Sequence, residues 1–159
     1  MLHPSDDPFD AIGQIPRSGR VLAMDWGTAR IGLAITDETQ LIATPLTTLT
    51  RRAGKRPPLG EFLTLVERER PVGLVVGLPL NDEGAEGESA LAAHAMGELF
   101  AMRAHLPMDL VDESFSTTTA LATVTALGRR PRNTRDVIDA IAAAVVLQRW
   151  LEMRRGGSI

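Results

Sequence analysis

VLAMDWGTARIGLA, residues 21–34, is the stretch on which the reading of this chain turns. Mostly apolar residues lead into Asp25, Gly27 and Gly32 bracket Arg30 and Ile31, and apolar character resumes through Leu33 and Ile35. The pattern predicts strand, tight turn, strand. It leaves one carboxylate where a buried strand runs out. An ionised carboxylate stripped of water costs several kcal/mol even after relaxation, so Asp25 requires a cation, a metal or a ring of backbone N–H groups. Taken alone, Asp25 also fits the commoner role of an Asx-type turn cap.

Outward from this stretch, Ile42–Leu49 reads as a third strand, with Pro45 suited to a sheet edge. Three strands in close succession suggest an antiparallel meander. The loop RRAGKRPP, residues 51–58, is basic and reads as solvated, with phosphate contact as its functional alternative. Leu59, Phe62, Leu63 and Val66 share the face of a helix over Leu59–Arg70 that Pro71 stops. VGLVVGL, residues 72–78, is apolar enough for a strand buried on both faces. The Gly-rich, acidic segment after it lacks a Walker Lys-Ser/Thr and a GxGxxG, which excludes a nucleotide P-loop and leaves a flap or a linker. A helix over Ala90–His105 is expected to turn Leu91, Ala95, Leu99 and Met102 inward, with His94 and His105 on its surface. Met108–Asp112 makes a fifth strand, and a helix capped within Ser114–Thr119 runs to Leu127 before Gly128. Asn133 or Thr134 caps a last, long helix.

Bulk composition narrows the function. The chain has 159 residues and 44% hydrophobic content, which fits one domain over residues 20–155, with residues 1–19 a flexible extension and 156–159 a tail. Phe9, Ile12 and Ile15 of the extension are candidates for docking on that domain. Without cysteine there is no disulfide, thiolate chemistry or Cys-based zinc site, as suits a cytoplasmic protein. Aromatics at 4% argue against a base-stacking platform, and a net charge of −3 argues against a tight nonspecific duplex binder. No apolar run approaches the ~20 residues of a membrane span, and the N-terminus does not read as a signal peptide.

Two further acids stand out. Asp112-Glu113 ends the fifth strand, and strand alternation lets at most one of the pair face a given site. Supporting the next helix's N-terminus is their plainer role. Asp139 lies among Ile138, Ile141 and Ala142, an expensive place for a carboxylate unless the helix opens there onto a polar cleft. A mixed sheet with a C-terminal helix can gather Asp25, Glu113 and Asp139 at one edge. Such all-oxygen ligands suit Mg2+ or Mn2+.

DWGTARIGLA (25–34), VVGLPLNDEGAEGE (75–88), DESFSTTTA (112–120) and DVIDAIAAAVVLQRWLE (136–152), in that order, resemble the YqgF/RuvX family over roughly Arg20 to Glu152. These bacterial proteins are related to Holliday junction resolvases and assigned to 5′-end processing of pre-16S rRNA. The resemblance implies an α/β, ribonuclease H-like fold, a five-stranded mixed sheet of order 3-2-1-4-5 flanked by helices. It implies Asp25, Glu113 and Asp139 as metal-binding and catalytic acids, and places Gly27, Arg30 and Gly32 in the first motif. In that order Glu113 lies two strands from Asp25, about 9–10 Å away. Ser114 stands where the family often has Arg, and Arg135 where it often has Lys.

The leading expectation is therefore a Mg2+- or Mn2+-dependent nuclease acting on a structured RNA precursor, with branched DNA as the alternative substrate and ribosomal particles as partners. Arg30, Arg51, Arg52, Lys55, Arg129, Arg130 and Arg135 are the candidate substrate-binding residues. A monomer or a homodimer with no membrane contact is expected, a junction resolvase needing two symmetric cuts. The rivals are a noncatalytic RNA-binding assembly module, and an actin-like ATPase that needs far more chain.

Overall fold

A computed structural model describes residues 15–27, 30–51, 57–78, 88–112 and 134–155, with backbone alone at 88, 89, 112 and 134–136. The strands are β1 (Val21–Trp26), β2 (Arg30–Thr36), β3 (Ala43–Thr50), β4 (Gly73–Leu78) and β5 (Met108–Asp112). The helices are α1 (Leu59–Glu69), α2 (Glu88–Ala104) and α3 (Thr134–Arg155). The sheet order is β3-β2-β1-β4-β5, as expected. The first three strands form the antiparallel meander, and β1, β4 and β5 run parallel. The expected helix to Leu127, the Gly-rich segment, Phe9 and Ile12 lie outside the described residues.

Period-two alternation divides the sheet into two unlike faces. Leu22, Met24 and Trp26 of β1 join Ile31, Leu33, Leu74 and Val76 in a core completed by Phe62 of α1 and Phe100 of α2. The two phenyl rings sit 4.6 Å apart, centroid to centroid. The other face is built from small residues: Val21, Ala23, Ala34, Val75 and Val111 pack against Ala143, Val146, Leu147 and Trp150 of α3. Small side chains on both partners let α3 lie close to the sheet. Its far end is fastened by the Trp150 indole N–H, which donates to Asp109 Oδ2 on β5 at 2.8 Å in a buried setting. Ile15, from the lead-in, is buried in the same cluster.

Helix α2 corrects one expectation. Leu91 and Met102 are exposed, at 61% and 67%, while Ala90, Ala93, Gly97, Phe100 and Ala101 face inward. Of the four residues expected inside, Leu99 does pack on the core, while Ala95 joins Leu91 and Met102 outside. Close packing selects the small residues here, since a Cβ on Gly97 would come within 2.7 Å of Val76.

The β2–β3 turn organises the pole opposite the end of β1. Asp37 Oδ1 accepts from the amides of Leu41 and Ile42 at 2.9 and 3.0 Å, and the Thr39 hydroxyl donates to Oδ2. The Thr39 bond first, then that of Ile42, holds the Asp37 carboxyl well below its usual range. Gln40, buried and in the left-handed region at φ 57°, donates to the carbonyls of Pro16 and Gly19, tying the lead-in to the sheet. Pro45 lies on the edge strand β3, opposite Ala34 beside a register shift.

Candidate active site

Asp25 is the penultimate residue of β1 and is half-buried. It follows Val21 and Ala23 at intervals of two, so it shares their face of the sheet, the one that α3 covers. Its partner on β2 is Gly32 and its partner on β4 is Gly77. Glycine on both flanks leaves the sheet surface around Asp25 bare.

The bare surface lets the helix backbone approach. A Cβ at Gly32 would stand 1.9 Å from the carbonyl oxygen of Asp139 and 3.0 Å from the amide of Ala140. Asp139, in the second turn of α3, therefore rests on the residue that pairs with Asp25, whose Cα is roughly 5 Å across the ladder. The backbone of Asp139 thus packs on the ladder partner of Asp25, although the two acids are far apart in sequence. Asp139 is paired as well: Arg30 Nε donates to its Oδ2 at 2.7 Å, with both side chains about one-quarter exposed (25% and 29%). The polar surroundings that Asp139 needs are supplied here by Arg30 and partial exposure to solvent.

The β1–β2 connection is held from both sides. The Gly27 amide donates to the Arg30 carbonyl at 2.9 Å, and a Cβ at Gly27 would come within 2.6 Å of that oxygen. Arg51, just past β3, lies 3.7 Å over the Trp26 ring and donates from Nη1 to the Gly27 carbonyl at 2.5 Å. Its guanidinium is thereby engaged with the turn. The Trp26–Arg51 stack and the packing role of Gly32 were not read from sequence. A glycine inside an otherwise apolar strand was the available signal for the second.

The structure thus pairs Arg30 with Asp139 and seats the Asp139 backbone on Gly32, the ladder partner of Asp25. Glu113, Arg52, Lys55, Arg129 and Arg130 lie outside the described residues, and of Arg135 only the backbone, in the first turn of α3, is described. Among the described residues no group of three His, Cys, Asp or Glu side chains is placed to hold a metal. No helix among them is long and apolar enough to cross a membrane.

A family model described as RuvX, Holliday junction resolvase, matches residues 19–153. The chain belongs to the RuvX family. The match takes in both carboxylates, Arg30 and Gly32. Among RuvX relatives, proteins named "Putative pre-16S rRNA nuclease" include one from Mycobacteroides abscessus, 43% identical over 88% of this chain and 85% of its own length. Another, from Anaplasma marginale, is 35% identical over 100% of this chain and 99% of its own. The fold is similar to that of T. thermophilus RuvC, solved in complex with a Holliday junction substrate. The TM-score is 0.54 at 21% identity, covering 88% of this chain and 97% of that one. This RuvX family member shares the RuvC fold at that distance.

Proposed function

We propose that this chain is a divalent-metal-dependent nuclease that hydrolyses phosphodiester bonds in structured RNA, acting in the cytoplasm on the 5′ end of pre-16S rRNA during ribosome assembly. One observation supports the reading: Gly32, the ladder partner of Asp25, lets the backbone of α3 at Asp139 pack against the sheet near the end of β1. The relatives' names supply the substrate class. The donor set fits a hard cation, since its oxygen-bearing side chains suit Mg2+ or Mn2+. Asp25 and Asp139 would hold it. Glu113 is the proposed third ligand, two positions beyond Val111, which faces α3. When bound, such an ion supplies Lewis-acid stabilisation of the charge that builds on the phosphoryl oxygens during in-line displacement.

The protein's own groups do the rest. Asp25 and Asp139 fix the reacting corner on a rigid strand and a packed helix, the placement that holds a catalytic geometry most tightly. Arg51 acts on the substrate side only indirectly, by holding the Gly27 turn. Arg52, Lys55, Arg129, Arg130 and Arg135 are the proposed phosphate contacts.

The test is cleavage of pre-16S transcripts with Mg2+. Asp25→Asn is expected to lower the rate at least ~100-fold, the loss of several kcal/mol of charge stabilisation, with the thermal melt retained. Unchanged cleavage removes Asp25 from the chemistry. RNA binding without any turnover by the parent protein selects the noncatalytic module instead. Four-way-junction DNA is the second substrate to assay, because the matching family is described as a Holliday junction resolvase. Symmetric paired cuts by a dimer would favour it.

A further inference from the structure

The Arg30–Asp139 pair occupies the place that the proposed function gives to a cation. Arg30 is the first residue of β2 and is delivered by the turn that the Gly27 amide closes onto its carbonyl. Its Nε lies 2.7 Å from Asp139 Oδ2, well within a charge-assisted hydrogen bond. The carboxylate it grips belongs to the residue packed on Gly32, across the ladder from Asp25. The guanidinium neutralises the Asp139 carboxylate through this bond. A divalent ion would neutralise it more strongly and use the same oxygens. It would also repel the guanidinium.

We propose that Arg30 and the divalent cation exchange on Asp139: Arg30 neutralises the carboxylate in the metal-free protein and is released when the ion binds. The inference rests on the metal-dependent reading above. Release changes what Arg30 can do. Its planar fork of N–H donors matches a phosphate diester, so metal loading removes the Asp139 hold on a guanidinium suited to phosphate. Arg30 is thus a positioning residue for Asp139 before loading and a substrate contact after it. The order of events follows. A chain without metal holds Asp139 ready but withholds Arg30 from the nucleic acid.

Two measurements on the intact chain, without nucleic acid, test this. Calorimetry with Mn2+ compares the parent protein with Arg30→Gln, Arg30→Lys and Asp139→Asn. Arg30→Gln is expected to bind Mn2+ about twofold to fivefold more tightly, the scale of losing one partly exposed ionic competitor. Arg30→Lys, which keeps the charge, is expected to stay near the parent value, and Asp139→Asn to lose affinity. In parallel, the Arg30 Nε–H resonance is expected to exchange slowly with water in the parent, to lose that protection in Asp139→Asn, and to lose it on saturation with Mg2+. Mn2+ binding by the parent with equal or weaker binding by Arg30→Gln overturns the exchange and leaves the metal site standing. No Mn2+ binding by either protein overturns the metal-dependent reading and the exchange with it.

Discussion

Gly32 carries more of the candidate site than any charged residue does. Nothing in its chemistry is catalytic, yet a single methyl there would collide with the Asp139 carbonyl at 1.9 Å. Because the obstacle is backbone inside a packed helix, it cannot swing aside as a side chain would. Gly32→Ala is expected to cost about 2–3 kcal/mol, at the upper end of ordinary overpacking. It should also lower cleavage by lifting Asp139 off the sheet. Urea unfolding alongside the transcript assay checks both effects. Gly60→Ala is the control, since a Cβ there meets nothing within 4 Å. A stable Gly32→Ala protein of full activity would show that α3 does not need this close approach. At the residue scale the sequence was legible where chemistry conflicts with surroundings: Asp25 at a strand end and Asp139 among apolar neighbours both stood out. It was not legible where the reason is steric and nonlocal. Arg51 reads as one more charge in a basic loop, and only the fold reveals Trp26 beneath it.

Elements follow the same division. The strands were legible because VLAM and VGLVVGL are apolar on both faces, and the meander because its turns are short. The inner face of α2 was legible only in part: Leu99 packs on the core as its spacing suggests, but Ala93 and Gly97 face the sheet where contact is closest. Two element ends give predictions. Trp150 fastens α3 to β5 through its bond to Asp109, and Trp150→Phe would leave that carboxylate short of a buried donor. The expected cost is about 1–3 kcal/mol, readable as a lower urea midpoint. An unchanged midpoint would mean the bond is idle. At the other junction, the Asp37 carboxyl titrates lower in the folded chain than its ordinary value of 3.8. A depressed folded pKa contributes stability that is complete above the unfolded value and fades as pH falls toward the folded one. The stability gap between the parent and Asp37→Asn should therefore be flat above about pH 5 and narrow in stronger acid. Denaturation midpoints across that range test the sign, and a gap that widens in acid refutes it.

On the scale of the whole molecule, the strand order β3-β2-β1-β4-β5 puts β1 at the centre, so the strand bearing Asp25 is supported on both sides. The order was expected from the resemblance of four separated motifs, which no single segment could have supplied. With a net charge of −3, the protein has no global attraction for a polyanion. Affinity for nucleic acid must come from local basic clusters, and is expected to weaken log-linearly with salt by about 0.9 per duplex phosphate contacted, or about 0.7 for a single strand. Filter binding over a range of salt concentrations measures the slope. A flat dependence would mean that the arginines named above make no phosphate contacts.

The docking of α3 has a bearing on how the protein matures. Asp25 lies near the start of the domain and Asp139 near its close, and the contacts that seat Asp139, to Gly32 and Arg30, are among the most nonlocal in the fold. Nonlocal contacts form late, because the long loop must be closed before they give anything back. On the proposed reading, a chain caught midway through folding already possesses the sheet meander yet carries only one of the two acids in place. Cutting power would arrive as the final act of folding, and a misfolded or truncated copy would be inert toward the cell's own RNA.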